Sequence, residues 1–537
     1  MNKQAIIHVD NTEGIIDFAK FLSDLGWSIL SANRTEELLK KAKIPVTREQ
    51  ALVETNLYLN DTSGLIQKIM ASKFHDGPES SPSERGDIGI ICMNVLPSIH
   101  SINSEKKLKA VTRPFNFFIS TILRNAFLNY DNILILSDPA DYKEAMIQLR
   151  TNSIDNDFRI YLAAKALNLV SAYDGGIASS ILMNASRKDE FMNYLTYPFE
   201  KQYTLKSGEN SHQNSCLYRF PGETGTVGAL QKQYGKELSY SSIADISFAW
   251  EQISMLSANL KNQFSVKSTN ADGYHFVTQF TPLTGTVFTI AVKHKSILGA
   301  SLSTNILDSV KKTYTYDTEN ILDVTLASSA VVDEDAAKEI IKCGFLAVVA
   351  PGFTPKAKEI FSNQKTTHLL QLSRINVSDY DMELINGGLL FQSKDNVLFE
   401  NWAVKTKTRP GQALTDQMAF GTLLTMGSRS FSAVLLKDNS ITGISQACKT
   451  PLRAVDAALS ETQYYKKHNP EQFNDGILAD VLVCDSAISL CDSVRQLADS
   501  GLKAIIQPGG LANDNEFIDF CNEHNISMIF TGMSHIS

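Results

Sequence analysis

No apolar run in the 537 residues approaches the roughly 20 positions that a helix needs to cross a bilayer. A helical membrane span is therefore not expected. Met1–Asp10 lacks a basic start, an apolar stretch and a small-residue cleavage site, so no secretory leader is expected either. Cysteine is scarce and scattered. The seven residues, Cys92, Cys216, Cys343, Cys448, Cys484, Cys491 and Cys521, show no CxxC spacing. An odd, dispersed set argues against a disulfide framework or a zinc site, and for reduced thiols in a cytoplasm. Most are expected to be small core residues. Positive charge is short as well: 50 Lys plus Arg stand against 58 Asp plus Glu, a formal net charge of −8. That balance argues against broad binding to nucleic acid or an anionic membrane, while leaving room for a local basic pocket around a phosphorylated ligand. Walker loops, GxSxG elbows and metal-ligand clusters are also missing.

What is present is an ordinary globular balance, with 43% hydrophobic and 20% charged residues. The length exceeds one core and implies about three domains, or two large ones. Strand and helix signals alternate from the start. Ala5–Val9 is β-rich, and Gly14–Leu25 carries Ile15, Phe18, Ala19, Leu22 and Leu25 at helical spacing, stopped by Gly26. Trp27–Ser31 is a second strand and Glu36–Lys43 a second helix. Further strands fit Ile88–Met93 and Ile133–Leu136, so a mostly parallel α/β sheet is expected. His75–Asp87, rich in Ser, Pro, Gly and Glu, reads as a loop. Asn152–Met192 reads as mainly helical, and the aperiodic stretch Met192–Gln202 marks a boundary between halves. Beyond Tyr203, apolar runs such as Phe288–Val292, Phe345–Ala350, Ser432–Leu436, Leu478–Cys484, Ala504–Gln507 and Ser527–Thr531 alternate with helices at Asp335–Cys343 and Asp514–Glu523. They are enough strands for two sheets. No short-period repeat is seen.

Several strings are specific. Tyr161–Ala178 ends in Ala-Tyr-Asp-Gly-Gly-Ile-Ala; Gly208-Glu-Asn-Ser-His-Gln213 follows, then Tyr234-Gly-Lys-Glu-Leu-Ser-Tyr-Ser-Ser-Ile-Ala-Asp245 with Ala249-Trp250. Lys293-His294, Phe353 after Val348–Pro351, Gly387-Gly-Leu-Leu, Ile505–Gly510 and Phe530-Thr-Gly-Met533 complete an ordered set. In order and spacing this set resembles the bifunctional purine-biosynthesis family that joins AICAR transformylase to IMP cyclohydrolase. Weaker matches at Gly14-Ile15, Ile29–Ser31, Ile44–Thr47 and Asp138–Tyr142 extend the resemblance over nearly the whole chain. The resemblance implies an α/β protein with a methylglyoxal-synthase-like cyclohydrolase domain over 1–196. It implies a transformylase region of two cytidine-deaminase-like units over 197–537. It further implies a homodimer whose transformylase sites use both subunits, 10-formyltetrahydrofolate as co-substrate, and no required metal.

Formyl transfer to AICAR must deprotonate a weak amine, stabilise a tetrahedral oxyanion and protonate the departing folate nitrogen. By resemblance Lys293 and His294 are the proton-transfer centre, His212 orients substrate, and Asp317 lies near the folate. Lys206, Gly208, Asn210 and Arg453 are the candidate substrate-binding residues. Read locally, a Lys-His dipeptide is a solvated strand end, His212 bonds its own turn, and Asp317 is a loop carboxylate.

The departures from the family pattern are numerous. Lys206-Ser207 stand where the family has Arg-Tyr, and a lysine cannot reproduce a bidentate guanidinium fork. Ser211 replaces a proline, Ser241-Ser242 an Asn-Asn pair, and Phe431 an asparagine that would assist catalysis. The Gly-Gln-x-Ser-Arg string becomes Ala447–Arg453, with Arg453 as its survivor. The cyclohydrolase half has changed more. Asp10-Asn11-Thr12 replaces Ser-Asp-Lys, Ala32-Asn33-Arg34 replaces a Gly-Gly loop, and no Lys-Thr-Leu-His-Pro occurs between Leu57 and His75. Asn94–Pro97 lacks its tyrosine, Phe117–Ser120 replaces Ile-Gly-Gly-Pro, and Leu128 replaces a lysine, while Arg124 remains. Bulky residues at two phosphate-contacting turns are expected to close that pocket. The expectation is a retained formyltransferase with a lost cyclohydrolase. A non-catalytic paralogue that binds nucleotide or partners is one alternative. The other is a changed substrate in a pocket lined by Arg34, Lys206, Phe431 and Lys449.

Overall fold

The computed structural model describes residues 3–49, 62–71, 88–95, 117–151, 153–183, 191–221, 223–230, 237–262, 264–269, 273–316, 323–363, 367–373 and 379–537. The loop expected at His75–Asp87 and the candidate Asp317 lie outside them. The chain divides into two compact units, one of residues 1–201 with 218–223, the other of 202–217 with 224–537.

The first unit runs β1 (Gln4–Val9), α1 (Ile15–Asp24), β2 (Ser28–Ser31), α2 (Asn33–Lys41), β3 (Thr47–Arg48), α3 (Thr62–Ala71), β4 (Ile88–Asn94), α4 (Phe117–Phe127), β5 (Leu134–Leu136), α5 (Tyr142–Arg150) and α6 (Asn156–Met183). Its five strands are parallel in the order β3-β2-β1-β4-β5. Alternate residues serve opposite faces. Ile6, Ile91 and Ile135 pack with Ile69, Ile122 and Ala166. Ala5, Ile7, Cys92 and Leu136 pack with Phe18, Leu39 and Tyr142. With both faces covered, the strands read as unbroken apolar runs. Burial pushes the Cys92 thiol up to about 12 against an opposing hydrogen bond with Tyr142, which fits an inert core residue. Cys484 and Cys521 are likewise buried, and the other four cysteines are half-buried.

A two-stranded ribbon, β6 (Glu200–Thr204) with β7 (Cys216–Arg219), leads into α7 (Tyr240–Leu260), β8 (Phe264–Thr269) and β9 (His275–Phe280). Then come β10 (Val287–Lys293), β11 (Ser296–Ser303), α8 (Ile306–Thr313), β12 (Thr325–Ser328), α9 (Glu334–Cys343), β13 (Ala347–Ala350), α10 (Pro355–Ser362) and β14 (His368–Gln371). A second ribbon, β15 (Tyr380–Ile385) with β16 (Gly388–Ser393), precedes β17 (Trp402–Val404), α11 (Gln412–Met426), β18 (Ala433–Lys437), β19 (Ser440–Ser445) and α12 (Pro451–His468). The chain ends with β20 (Val481–Cys484), α13 (Asp492–Asp499), β21 (Ala504–Gln507), α14 (Asp514–Glu523) and β22 (Ser527–Phe530).

Where two sheets are expected, the structure forms one 13-stranded sheet, ordered β14-β13-β12-β10-β11-β19-β18-β20-β21-β22-β17-β8-β9. Two similar halves meet at β11 and β19, joined where Ser301 pairs with Ser440. Each half is a hairpin (β10–β11 or β18–β19) followed by three parallel strands. The correspondence reaches residues. Val292-Lys-His-Lys-Ser-Ile-Leu-Gly299 matches Leu436-Lys-Asp-Asn-Ser-Ile-Thr-Gly443. Gly299 admits the Thr313 carbonyl, 2.1 Å from where a Cβ would stand, and Gly443 admits the Ala458 carbonyl at 2.3 Å. Both hairpins turn on two residues of positive φ, His294-Lys295 (52° and 55°) and Asp438-Asn439 (51° and 63°). Helices α7 and α11 share one face of the sheet with Phe288, Val292, Leu436 and Val483.

Candidate active site

Helix α7 organises the candidate residues of the second unit. Ser239 caps it, its hydroxyl accepting from the Ser242 N–H. Its buried residues, from Ile243 to Leu260, include Trp250, Ile253 and Leu256. Two segments attach to its first turns. Lys206 donates its backbone N–H to the Leu238 carbonyl at 3.0 Å, and the Tyr240 N–H donates to the Ser207 carbonyl at 2.9 Å. Five residues further, about 7.5 Å along the axis, the Asp245 carboxylate accepts the His294 N–H at 3.0 Å and the Lys295 N–H at 2.7 Å.

The first segment carries Lys206, Gly208, Asn210 and His212. The Gly208 N–H donates to the Gln213 carbonyl at 2.8 Å, and Gln213 Oε1 accepts the Asn210 N–H at 2.9 Å. Ser215 Oγ donates to the Ser207 carbonyl at 2.7 Å. Lys206, Asn210 and His212 are exposed on this braced loop, while Gly208 is buried beneath them. The second segment is the β10–β11 tip. Lys293 ends β10 half-buried, and His294 is exposed at the turn. On β11, the Gln446 amide accepts the Ile297 N–H at 3.3 Å and donates to the Ile297 carbonyl at 2.9 Å. An imidazole and an ammonium are therefore offered at the tip of a hairpin held from two sides.

Arg453 lies elsewhere, on the first turn of α12, with its backbone N–H bonded to the Thr450 hydroxyl at 3.3 Å. Its exposed guanidinium faces Asp456 at 3.9 Å, and no described contact brings it to Lys293 or His294. Phe431 is half-buried against the core beneath β20 to β22. Asp245, Gln213 and Gln446 are positions for which sequence reasoning gave no role. For Asp245 a signal was available: its position among the apolar residues Ile243, Ile246 and Ala249 places it on the buried face, where a carboxylate needs partners.

In the first unit, Asn94 Oδ1 accepts the backbone N–H groups of Asp10 at 2.8 Å and Asn11 at 2.9 Å. This tie spans β1 and β4, where the strand order reverses and open α/β sheets bind ligands. Asn33 takes the glycine-like φ of 50° at the start of α2. Phe117–Ser120 forms the first turn of α4, with Ile119 and Ser120 buried. Arg124 is engaged as an ion pair with Asp174 of α6, which also accepts from the Ser120 hydroxyl at 3.0 Å.

Among the described residues no helix is long and apolar enough to cross a membrane. No group of three or more His, Cys, Asp or Glu among them is placed to hold a metal. The chain is 29% identical to the bifunctional purine biosynthesis protein PurH of Brachyspira hyodysenteriae, aligned over 100% of this chain and 99% of that one. The PurH proteins of Petrotoga mobilis and Clostridium acetobutylicum are 26% and 28% identical with the same coverage. Among solved structures, the crystal structure of ForH aligns at 23% identity over 34% of this chain and 98% of that chain, with a TM-score of 0.27. The AICARFT/IMPCHase bienzyme family model matches residues 126–461, more than half of the chain, and the protein belongs to that family.

Proposed function

We propose that the second unit transfers a formyl group from 10-formyltetrahydrofolate to the 5-amine of AICAR, and that the first unit no longer closes the purine ring. The observation that carries the first part is the braced Lys293-His294 tip on the same helix end as the Lys206–Gln213 loop. Neutral His294 accepts the amine proton as the new C–N bond forms. Lys293 stabilises the oxyanion, and the C–N10 bond of the folate then breaks with proton return to that nitrogen. Lys206 and Asn210 hold the ribonucleotide phosphate and carboxamide, His212 orients the ring, and Asp317 meets the folate. Arg453 belongs to this set only if ligand binding draws it away from Asp456. No metal enters these steps. The working enzyme is a cytoplasmic homodimer in this reading, with a methylglyoxal-synthase-like first domain and two deaminase-like units behind it.

The loss of ring closure is supported by the bulky residues at Asn33 and Ile119 and by the engagement of Arg124 with Asp174. Purified protein is incubated with AICAR and 10-formyltetrahydrofolate beside Lys293→Ala and His294→Ala variants. Each variant is expected to lose 10²–10⁴-fold in turnover, the usual worth of a positioned proton-transfer group. No turnover above the Lys293→Ala level sinks the transformylase reading. In that event tight binding of AICAR without turnover identifies a binding paralogue.

A further inference from the structure

We propose that Asp245 is the positioning residue of this site: its buried carboxylate, rather than the preferences of the turn residues, fixes the backbone that presents Lys293 and His294. The inference rests on the transformylase reading for its catalytic consequence.

Lys293 and Ser296 pair across the hairpin, leaving His294 and Lys295 as a two-residue turn. Both have positive φ, 52° and 55°. Turns of this kind favour Asn, Asp and Gly, because other side chains crowd the left-handed backbone. The equivalent turn of the second half obeys that preference, with Asp438-Asn439. The first half places His294 and Lys295 there instead; histidine tolerates positive φ, but lysine has no such preference, so we infer that the second position is held from outside. Two successive amides of a left-handed turn form a small concave donor site for an anion. Asp245 fills it, one oxygen to each amide, at 3.0 and 2.7 Å. Asp245 is 6% exposed, on a helix packed against β10 and β12. In the second half a carboxylate also meets the turn, but at one point: the Asp438 N–H donates to Asp480 at 3.0 Å. Two-point attachment fixes the roll of the tip about the hairpin axis. It thereby sets the direction of the His294 ring against the Lys206–Gln213 loop, anchored on the same helix.

Asp245→Ala leaves the β10–β11 ladder paired but frees the tip. Its kcat for formyl transfer is expected to fall 10–100-fold, with KM for AICAR within three-fold of the parent, since the binding loop is untouched. Lys295→Gly in the Asp245→Ala background restores the preference for positive φ and should recover at least five-fold in kcat. Asp245→Asn turns an amide donor toward one of the two N–H groups and should resemble Asp245→Ala. Hydrogen exchange of the 293–296 turn, read by mass spectrometry, should accelerate at least ten-fold in Asp245→Ala while β10 and β11 stay protected. An unchanged kcat, or a kcat loss that Lys295→Gly fails to recover, overturns the proposal. If the parent shows no formyl transfer at all, the transformylase reading falls, yet exchange still decides the hold on the turn. Unchanged exchange in Asp245→Ala would refute that hold by itself.

Discussion

Gly208 has no room for a methyl group. A Cβ there would stand 2.6 Å from Gln213 Cβ, inside a loop closed by the Gly208–Gln213 backbone bond. Gly208→Ala should therefore open the loop and raise the KM for AICAR at least ten-fold, with little change in global melting temperature. An unchanged KM in steady-state assays would remove this loop from the binding site. Lys206→Arg should act oppositely, because a guanidinium meets phosphate through two parallel donors where an ammonium offers a point charge. A several-fold fall in KM is expected, and a rise would argue that Lys206 does not face the phosphate. At this scale the sequence was half legible. Lys293, His294 and the Gly208–Gln213 string stood out because their types and order are distinctive. The roles of Asp245 and Gln446 did not, because they act on backbone atoms 49 to 50 and 149 positions away. Arg453 was legible as a cation but not as one paired with its own helix neighbour.

Elements were read more reliably than their long-range pairing. The strands at Ala504–Gln507 and Ser527–Phe530 and the helix Asp514–Glu523 stand within a residue of expectation, since buried parallel strands and periodic apolar helices announce themselves locally. Helix α2 starts three residues early, at Asn33, because Asn tolerates the left-handed φ that opens it. The junction of β11 with β19 was not legible. It turns on polar Ser301 and Ser440, and no local pattern distinguishes an edge strand from one that pairs with a distant partner. Helix α6 offers a test of electrostatics at this level. Lys165 bonds Asp138 at 2.6 Å and Asp141 at 2.8 Å. Partial burial pushes the Asp138 carboxyl up, but the bonds from Lys165 and the Ala140 N–H outweigh it and hold it below its ordinary value. A depressed folded value adds stability above the unfolded pKa of about 3.9, lost as pH falls through the folded value. The stability gap between the parent and Asp138→Asn, measured by urea unfolding, should be constant above about pH 5 and shrink below about pH 4. A gap independent of pH would show that the pair contributes through packing alone.

The whole molecule is an α/β member of its family, and the proposed function assigns different fates to its two units. Similarity to PurH proteins extends over 100% of the chain at 26–29% identity. Such a match fixes descent and architecture but not each site, because core positions tolerate volume-conserving exchange whereas ligand contacts do not. In the second unit the segments bearing Lys206–His212 and Lys293-His294 are tied to one end of α7, whereas Arg453 lies apart on α12. In the first, Phe117–Ser120 forms the first turn of α4, and Arg124 pairs with Asp174. The hairpins at Lys293 and Lys437 are alike, so one scaffold carries two equivalent tips, of which only the first bears an imidazole. The central claim is therefore an uncoupled bienzyme. Its most direct test is the product of one reaction, AICAR with 10-formyltetrahydrofolate, resolved by liquid chromatography over time. Accumulation of formyl-AICAR without conversion to IMP is the predicted result. IMP appearing as fast as AICAR disappears would contradict it.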